Sequence, residues 1–183
     1  MILHQIETEL TAIARNLKSI SVEIAHRCGG GSGLIWRDGG LIVTNSHVIR
    51  DKFVDVKLKD RTFKGKVIAR DRSLDLAAIE VDAKQLPVPK IGNSRSLQQG
   101  EVVLAMGSPW GFSGTLTAGV IYSLNQKDDS SIAADIRLAP GNSGGILANV
   151  WGEVIGINTA IYQNLALAIP SHLVADWLES IGK

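Results

Sequence analysis

Gly141-Asn142-Ser143-Gly144-Gly145 is the stretch on which the reading of this chain turns. A serine that attacks a carbonyl needs an accessible hydroxyl, a base to take its proton, and donors for the oxyanion that develops. Glycine at 141 and 144 lets the backbone turn sharply and bring amide N–H groups close to a substrate. Gly141, Asn142 and Ser143 are therefore the candidate oxyanion frame, with the amides of Gly141 and Ser143 as its natural donors. Taken alone, the pentapeptide also reads as an ordinary Asn-Ser-Gly turn.

Working outward, two residues supply what Ser143 needs. His47 follows the apolar run Leu41-Ile42-Val43, in Thr44-Asn45-Ser46-His47-Val48-Ile49. A histidine at a strand end presents its ring to a cleft, and imidazole suits base work near neutrality. Asp75 stands in Ser73-Leu74-Asp75-Leu76-Ala77-Ala78-Ile79, flanked by leucines at the mouth of an apolar strand. An acid there is costly to bury without a partner, and the Nδ1–H of His47 would provide one. Asp71, in Arg70-Asp71-Arg72, reads as a solvated turn charge, and His4, His26 and His172 as structural or surface residues. The chain order His, Asp, Ser is that of the chymotrypsin-type triad, not of subtilisin or the α/β-hydrolases. No G-x-S-x-G elbow surrounds Ser143, which removes the lipase-like alternative. Gly29-Gly30-Gly31-Ser32-Gly33 lacks the Lys-Ser/Thr of a phosphate loop and leads into a strand, so it reads as a hairpin turn.

The rest of the chain predicts short strands between two helices. Leu3, Ile6, Leu10, Ile13, Ala14 and Leu17 recur at helical spacing, giving an N-terminal helix over about 3–18. Strand-like runs follow at 20–25, 34–36, 41–44, 54–58, 63–69 and 76–81, a first unit of about 19–85. Leu86-Pro87-Val88-Pro89 reads as a connection, because proline removes ladder donors. Runs at 101–106, 116–124, 132–135, 145–148, 154–160 and 165–169 make a second unit of about 98–170. Ser171 reads as the N-cap of a last helix over about 171–180, with Leu173, Val174, Trp177 and Leu178 on one face. This pattern argues an all-β barrel or sandwich.

Composition narrows the partners. The 183 residues are 45% hydrophobic and carry a net charge of +1, which suits one domain and makes no electrostatic case for nucleic acid or an anionic membrane. The single cysteine, Cys28, rules out an internal disulfide and reads as a small buried apolar residue. No metal site and no cofactor are expected. The first residues show neither a signal peptide nor a membrane span. The chain as written is therefore expected in the cytoplasm, or exported if a leader has been removed.

Several blocks together resemble the HtrA/Deg family of trypsin-like serine proteases. They are G-S-G-L-I (31–35), T-N-S-H-V-I (44–49), S-L-D-L-A-A-I (73–79), G-S-P-W-G (107–111), T-A-G-V-I (117–121), A-P-G-N-S-G-G (139–145), G-E-V-I-G-I-N-T (152–159) and L-A-I-P-S (167–171). The resemblance implies a double six-stranded β-barrel with His47, Asp75 and Ser143 in the cleft between barrels. It further implies an endopeptidase for unfolded or extended polypeptides that needs no cofactor. It places Leu165, Ala166 and Leu167 on the strand that pairs with the substrate backbone. The residues before the nucleophile, Arg137, Leu138 and Ala139, would shape the pocket for the residue preceding the scissile bond. With Arg137 inward that pocket favours an acidic side chain; with Arg137 outward, Leu138 and Leu167 leave a small aliphatic one, the arrangement expected here. The chain departs from the family at Arg137, at Ile146 where proline is common, and at Ala166 where glycine is common. It corresponds to the protease domain alone, with no PDZ domain before Lys183. Monomer and trimer are both compatible with it. The alternative to an active enzyme is a peptide-binding module, or an enzyme whose oxyanion loop awaits a partner, with residues 125–131 as a polar loop.

Overall fold

The computed structural model of the chain describes residues 2–26, 29–124 and 130–183. Cys28 and most of the polar loop 125–131 lie outside the described residues. Helix α1 (Ile2–Ile20) leads into β1 (Ser21–His26), β2 (Gly29–Arg37), β3 (Leu41–Asn45), β4 (Phe53–Leu58), β5 (Arg61–Asp71) and β6 (Leu76–Val81). After the connection come β7 (Val102–Gly107), β8 (Thr115–Leu124), β9 (Ile132–Asp135), β10 (Ile146–Asn149), β11 (Val154–Tyr162) and β12 (Leu165–Pro170), then α2 (Ser171–Ser180). The strands close into two antiparallel barrels, ordered β1-β2-β3-β6-β5-β4 and β10-β11-β12-β9-β8-β7. Of the two architectures that the strand pattern left open, the chain adopts the barrel, in two copies. Closure comes from β1 pairing with β4 and β10 with β7, so the first and last strands of each sheet are paired to each other.

The period-2 alternation of the strands decides where the core sits. In β3, Ile42 points into the first barrel while Leu41 and Val43 point out of it. In β10, Leu147 enters the second barrel while Ile146 and Ala148 face away. The outward residues are buried too, because the barrels pack against each other and α1 and α2 cover the seam with Leu17, Ile20, Val174, Trp177 and Leu178. Burial on both faces explains why these strands read as continuous apolar runs. The catalytic candidates stand at one end of this seam.

Two local expectations change. Leu3, Ile6 and Leu10 of α1 remain exposed, and only the last turns of that helix reach the core. Ser171 is not the N-cap of α2: Pro170 holds that position without a side-chain bond. The Ser171 hydroxyl turns inward instead and donates to the Gly92 carbonyl at 2.9 Å. The first-turn amide of His172 is satisfied from outside, by the Ser94 hydroxyl of the inter-barrel connection at 3.1 Å, which meets the capping requirement by a long-range contact.

Candidate active site

His47 lies on a short turn, Ser46–Val48, that leaves the buried end of β3. Ser46 and Val48 on either side of it are buried, so the turn is anchored while the imidazole stays exposed. Arg70 clamps the turn from outside, with Nε to Ser46 Oγ and Nη2 to the Ser46 carbonyl, both 2.8 Å. Asp75 sits opposite, in the left-handed region at φ 55°, a conformation that Asp tolerates better than most non-glycine residues. Asp71 shapes the approach to it: one of its carboxylate oxygens accepts from Ser73 N, Ser73 Oγ and Leu74 N at 2.8, 2.7 and 3.0 Å. Asp71 is thus more than a solvated charge. The Leu74 amide, Ser73 hydroxyl and Ser73 amide outweigh the effect of burial and hold its carboxyl below the usual range.

The Asp75 carboxylate is the hub. Oδ2 accepts from His47 Nδ1 at 2.8 Å and from Thr159 Oγ1 at 2.7 Å, and Oδ1 accepts from the His47 amide at 3.0 Å. A carboxylate only accepts, so Nδ1 carries the proton and Nε2 is left as the basic nitrogen. Burial pushes the Asp75 carboxyl up, but the hydrogen bonds from His47 and Thr159 and the attraction of His47 outweigh it, and the carboxyl is held below its ordinary value.

Ser143 is delivered by a turn of the second barrel. The Asn142 amide donates to the Ala139 carbonyl at 3.0 Å, with Pro140 and Gly141 at the corners and Gly141 at φ 103°, the arrangement of a type II turn. This removes Asn142 from the oxyanion frame: its N–H is consumed by the turn and its side chain is buried. The amides of Gly141 and Ser143 have no protein acceptor among the described residues. Gly144 is at φ 82°, and any Cβ there would strike the Ser32 carbonyl and the Thr44 hydroxyl. The Ser143 hydroxyl donates to the Thr159 carbonyl at 3.1 Å, and no hydrogen bond joins it to His47 among the described residues. Catalytic hydrogen bonds often tighten only around a substrate.

Beside Ser143 opens a cavity of about 140 Å³, lined by Leu138, Ala139, Pro140, Asn142, Ser143, Thr159, Ala160 and Ile161. Leu138 and Ala139 form part of its wall. Arg137 is exposed and borders a separate depression with Asp135, Ile136 and Asn164, consistent with the outward arrangement. Leu167 does not line the cavity; Ile161 does. The expectation for Leu165, Ala166 and Leu167 is corrected on a physical ground. Strand β12 is paired on both sides, with Leu165, Ala166 and Leu167 against Tyr162, Ile161 and Ala160, and Ala166 and Leu167 against Ala134 and Ala133. At Ala166 and Leu167 its backbone has no edge to offer, while Leu165 is paired with β11 alone. A free edge beside Ser143 lies at the end of β11, whose pairing with β10 stops at Ile157. Thr159, Ala160 and Ile161 also line the cavity, although the sequence pattern marks them only as the end of a strand whose burial stops after Asn158.

Among the described residues no cluster of three or more His, Cys, Asp or Glu is placed to hold a metal. Among them, too, no helix is long and apolar enough to cross a membrane.

Comparison with known proteins agrees with this geometry. Residues 31–157 match the family model of the trypsin-like peptidase domain. A probable periplasmic serine endoprotease, DegP-like, of Pseudomonas fulva (strain 12-X) is 41% identical over 169 residues, 84% of this chain and 35% of the relative. The putative serine protease HhoB of Synechocystis sp. (strain ATCC 27184 / PCC 6803 / Kazusa) is 40% identical over 167 residues, 84% of this chain and 40% of the relative. The chain thus spans little more than a third of the length of these curated relatives. The crystal structure of the serine endoprotease from Yersinia pestis superposes with a TM-score of 0.86 at 33% identity, over 93% of this chain and 65% of that one. The HtrA-type protease AlgW with decapeptide gives 0.84 at 28% identity, over 93% and 66%. With both barrels, the cleft and the family model in agreement, the chain belongs to the trypsin-like peptidase family, and its resemblance within it is to the HtrA/Deg serine proteases.

Proposed function

We propose that this chain is a serine endopeptidase that cleaves extended polypeptide through Ser143, His47 and Asp75. The observation that carries the reading is the Asp75 carboxylate joined to His47 Nδ1 at 2.8 Å, across the cleft from a glycine-framed serine. Ser143 Oγ turns from the Thr159 carbonyl, a rotation of one side-chain torsion, and attacks the peptide carbonyl carbon as its proton passes to His47 Nε2. The carbonyl oxygen becomes an oxyanion facing the amides of Gly141 and Ser143. The C–N bond breaks, the leaving amine takes the proton from His47, and an ester on Ser143 remains. Water, deprotonated by His47, then adds to that ester, and release of the Ser143 oxygen returns the proton to it. Asp75 stabilises the imidazolium and keeps the tautomer; it stays ionised.

Substrate would lie as an added strand along Thr159, Ala160 and Ile161, with the side chain before the scissile bond in the cavity beside Ser143. Leu138, Ala139, Ala160 and Ile161 favour a small aliphatic group there. Relatives named as periplasmic favour the exported alternative over the cytoplasmic expectation, which they do not support.

A fluorophosphonate probe tests the reading. Wild-type protein is expected to be labelled at Ser143, and Ser143→Ala to remain unlabelled while folded. Well-folded wild-type protein that resists labelling, with and without peptide present, would favour the non-catalytic module instead.

A further inference from the structure

Ser32 lies on β2, in the first barrel, and is fully buried. Its hydroxyl is shared between two segments of the second barrel. It accepts from the Ser108 amide at 2.8 Å and donates to the Gly141 carbonyl at 2.7 Å. Its own amide donates to the Ser143 carbonyl at 2.8 Å, and its carbonyl accepts from Thr44 Oγ1 at 2.7 Å. One residue of the first barrel therefore touches both ends of the nucleophile turn.

From this network we infer that Ser32 is a positioning residue for the oxyanion frame, an inference that rests on the endopeptidase reading above. The peptide between Gly141 and Asn142 is held at both edges: its carbonyl by Ser32 Oγ, its N–H by the Ala139 carbonyl. The preceding peptide, which carries the Gly141 N–H, is held by its carbonyl alone, since Pro140 O accepts from the Trp110 amide at 3.2 Å. Trp110 reaches it from the 109–111 turn with a left-handed backbone, φ 55°. That turn begins at Ser108, which Ser32 anchors. Ser32 thus acts on the Gly141 amide from two sides, directly through the Gly141 carbonyl and indirectly through Ser108 and Trp110. Without it, the Gly141 carbonyl and Ser108 amide lose a buried partner. The peptide between Pro140 and Gly141 can then rotate, taking a donor from the oxyanion. The hydroxyl makes no contact with the cavity that would hold substrate, so ground-state binding is spared.

The test compares Ser32→Ala with wild type on a fluorogenic peptide that carries valine before the cut. The expected result is a fall in kcat of about 10²-fold, the size of a lost oxyanion donor, with KM changed by less than about 3-fold. Ser32→Thr and Ser32→Val provide a second, shape-matched pair that differs only by hydroxyl against methyl. The threonine variant should keep kcat at least about ten times above the valine variant, each shown to be folded by near-ultraviolet circular dichroism. Equal kcat in that pair, or a Ser32→Ala enzyme whose loss falls on KM and not kcat, overturns the inference. Wild-type turnover separates the two levels. If wild type does not cleave, the endopeptidase reading falls and this inference with it. If wild type cleaves and Ser32→Ala matches it, this inference alone falls.

Discussion

The two barrels contribute to the cleft in different ways. The first supplies His47 and Asp75, and what holds them is side-chain chemistry: a carboxylate with three donors, and an arginine clamp on the turn. The second supplies Ser143, and what holds it is mostly backbone: a glycine corner, the Ala139 and Thr159 carbonyls as acceptors, and the amide of Ser32 from the first barrel, joined by one side chain, the Ser32 hydroxyl. The proposed acid–base half therefore depends on residue identity at a few positions, whereas the proposed nucleophile half depends on a shape that many contacts maintain.

The largest effect that would break this division is at the nucleophile itself. Ser143→Ala is expected to lower kcat about 10⁶-fold with an unchanged melting temperature, since the turn does not need the hydroxyl. A large loss of stability would show that the shape rests on the side chain after all. Asp75→Asn follows, with a fall in kcat of about 10⁴-fold near neutrality from the wrong His47 tautomer, measured on the same peptide. Thr159→Val removes one donor to the Asp75 carboxylate while sparing the cavity wall. A fall in kcat of about 10-fold is expected, a charge-assisted hydrogen bond being worth about 1.5–3 kcal/mol; no change would detach Thr159 from the acid–base half.

A smaller effect appears in the pH dependence of stability. The Asp75 carboxyl is held below its ordinary value in the folded chain, so the unfolded chain binds more protons in the window between the two values. Stability from Asp75 is therefore complete above the unfolded pKa of about 3.9 and is lost as pH falls through the folded value. The melting temperature of wild type minus that of Asp75→Asn should shrink as pH drops through that window. A difference that stays constant would contradict the hydrogen-bond assignment. The smallest effect is on specificity: Ile161→Ala should widen the cavity and shift preference toward a larger aliphatic residue by about 10-fold in kcat/KM, the scale of one or two methylenes.

Much of this was legible beforehand, for local reasons. A strand announces itself by a short apolar run between turn signals, so twelve strands and both helices could be placed from the chain, although Gly29–Gly33, read as a hairpin turn, opens β2. Asp75 was recognisable because an acid between leucines demands a partner. What was misread has the opposite character. Ala166 and Leu167 look like an available strand with Leu165 until β9 and β11 are seen to occupy both of their edges. Asn142 looks like a donor until its amide closes the turn. Ser171 looks like a cap until Ser94, 77 residues earlier, takes that task.

The sequence by itself determined the all-β character and the strand count, and it named the residues proposed for the cleft, because hydrophobic period and residue type are written locally. Only the tertiary structure decided which strand edges remain free, which amides remain unspent, and that Ser32 from the other barrel bonds to Gly141 and Ser143. Those depend on hydrogen-bond partners far apart in the chain, and every backbone donor has one hydrogen to give.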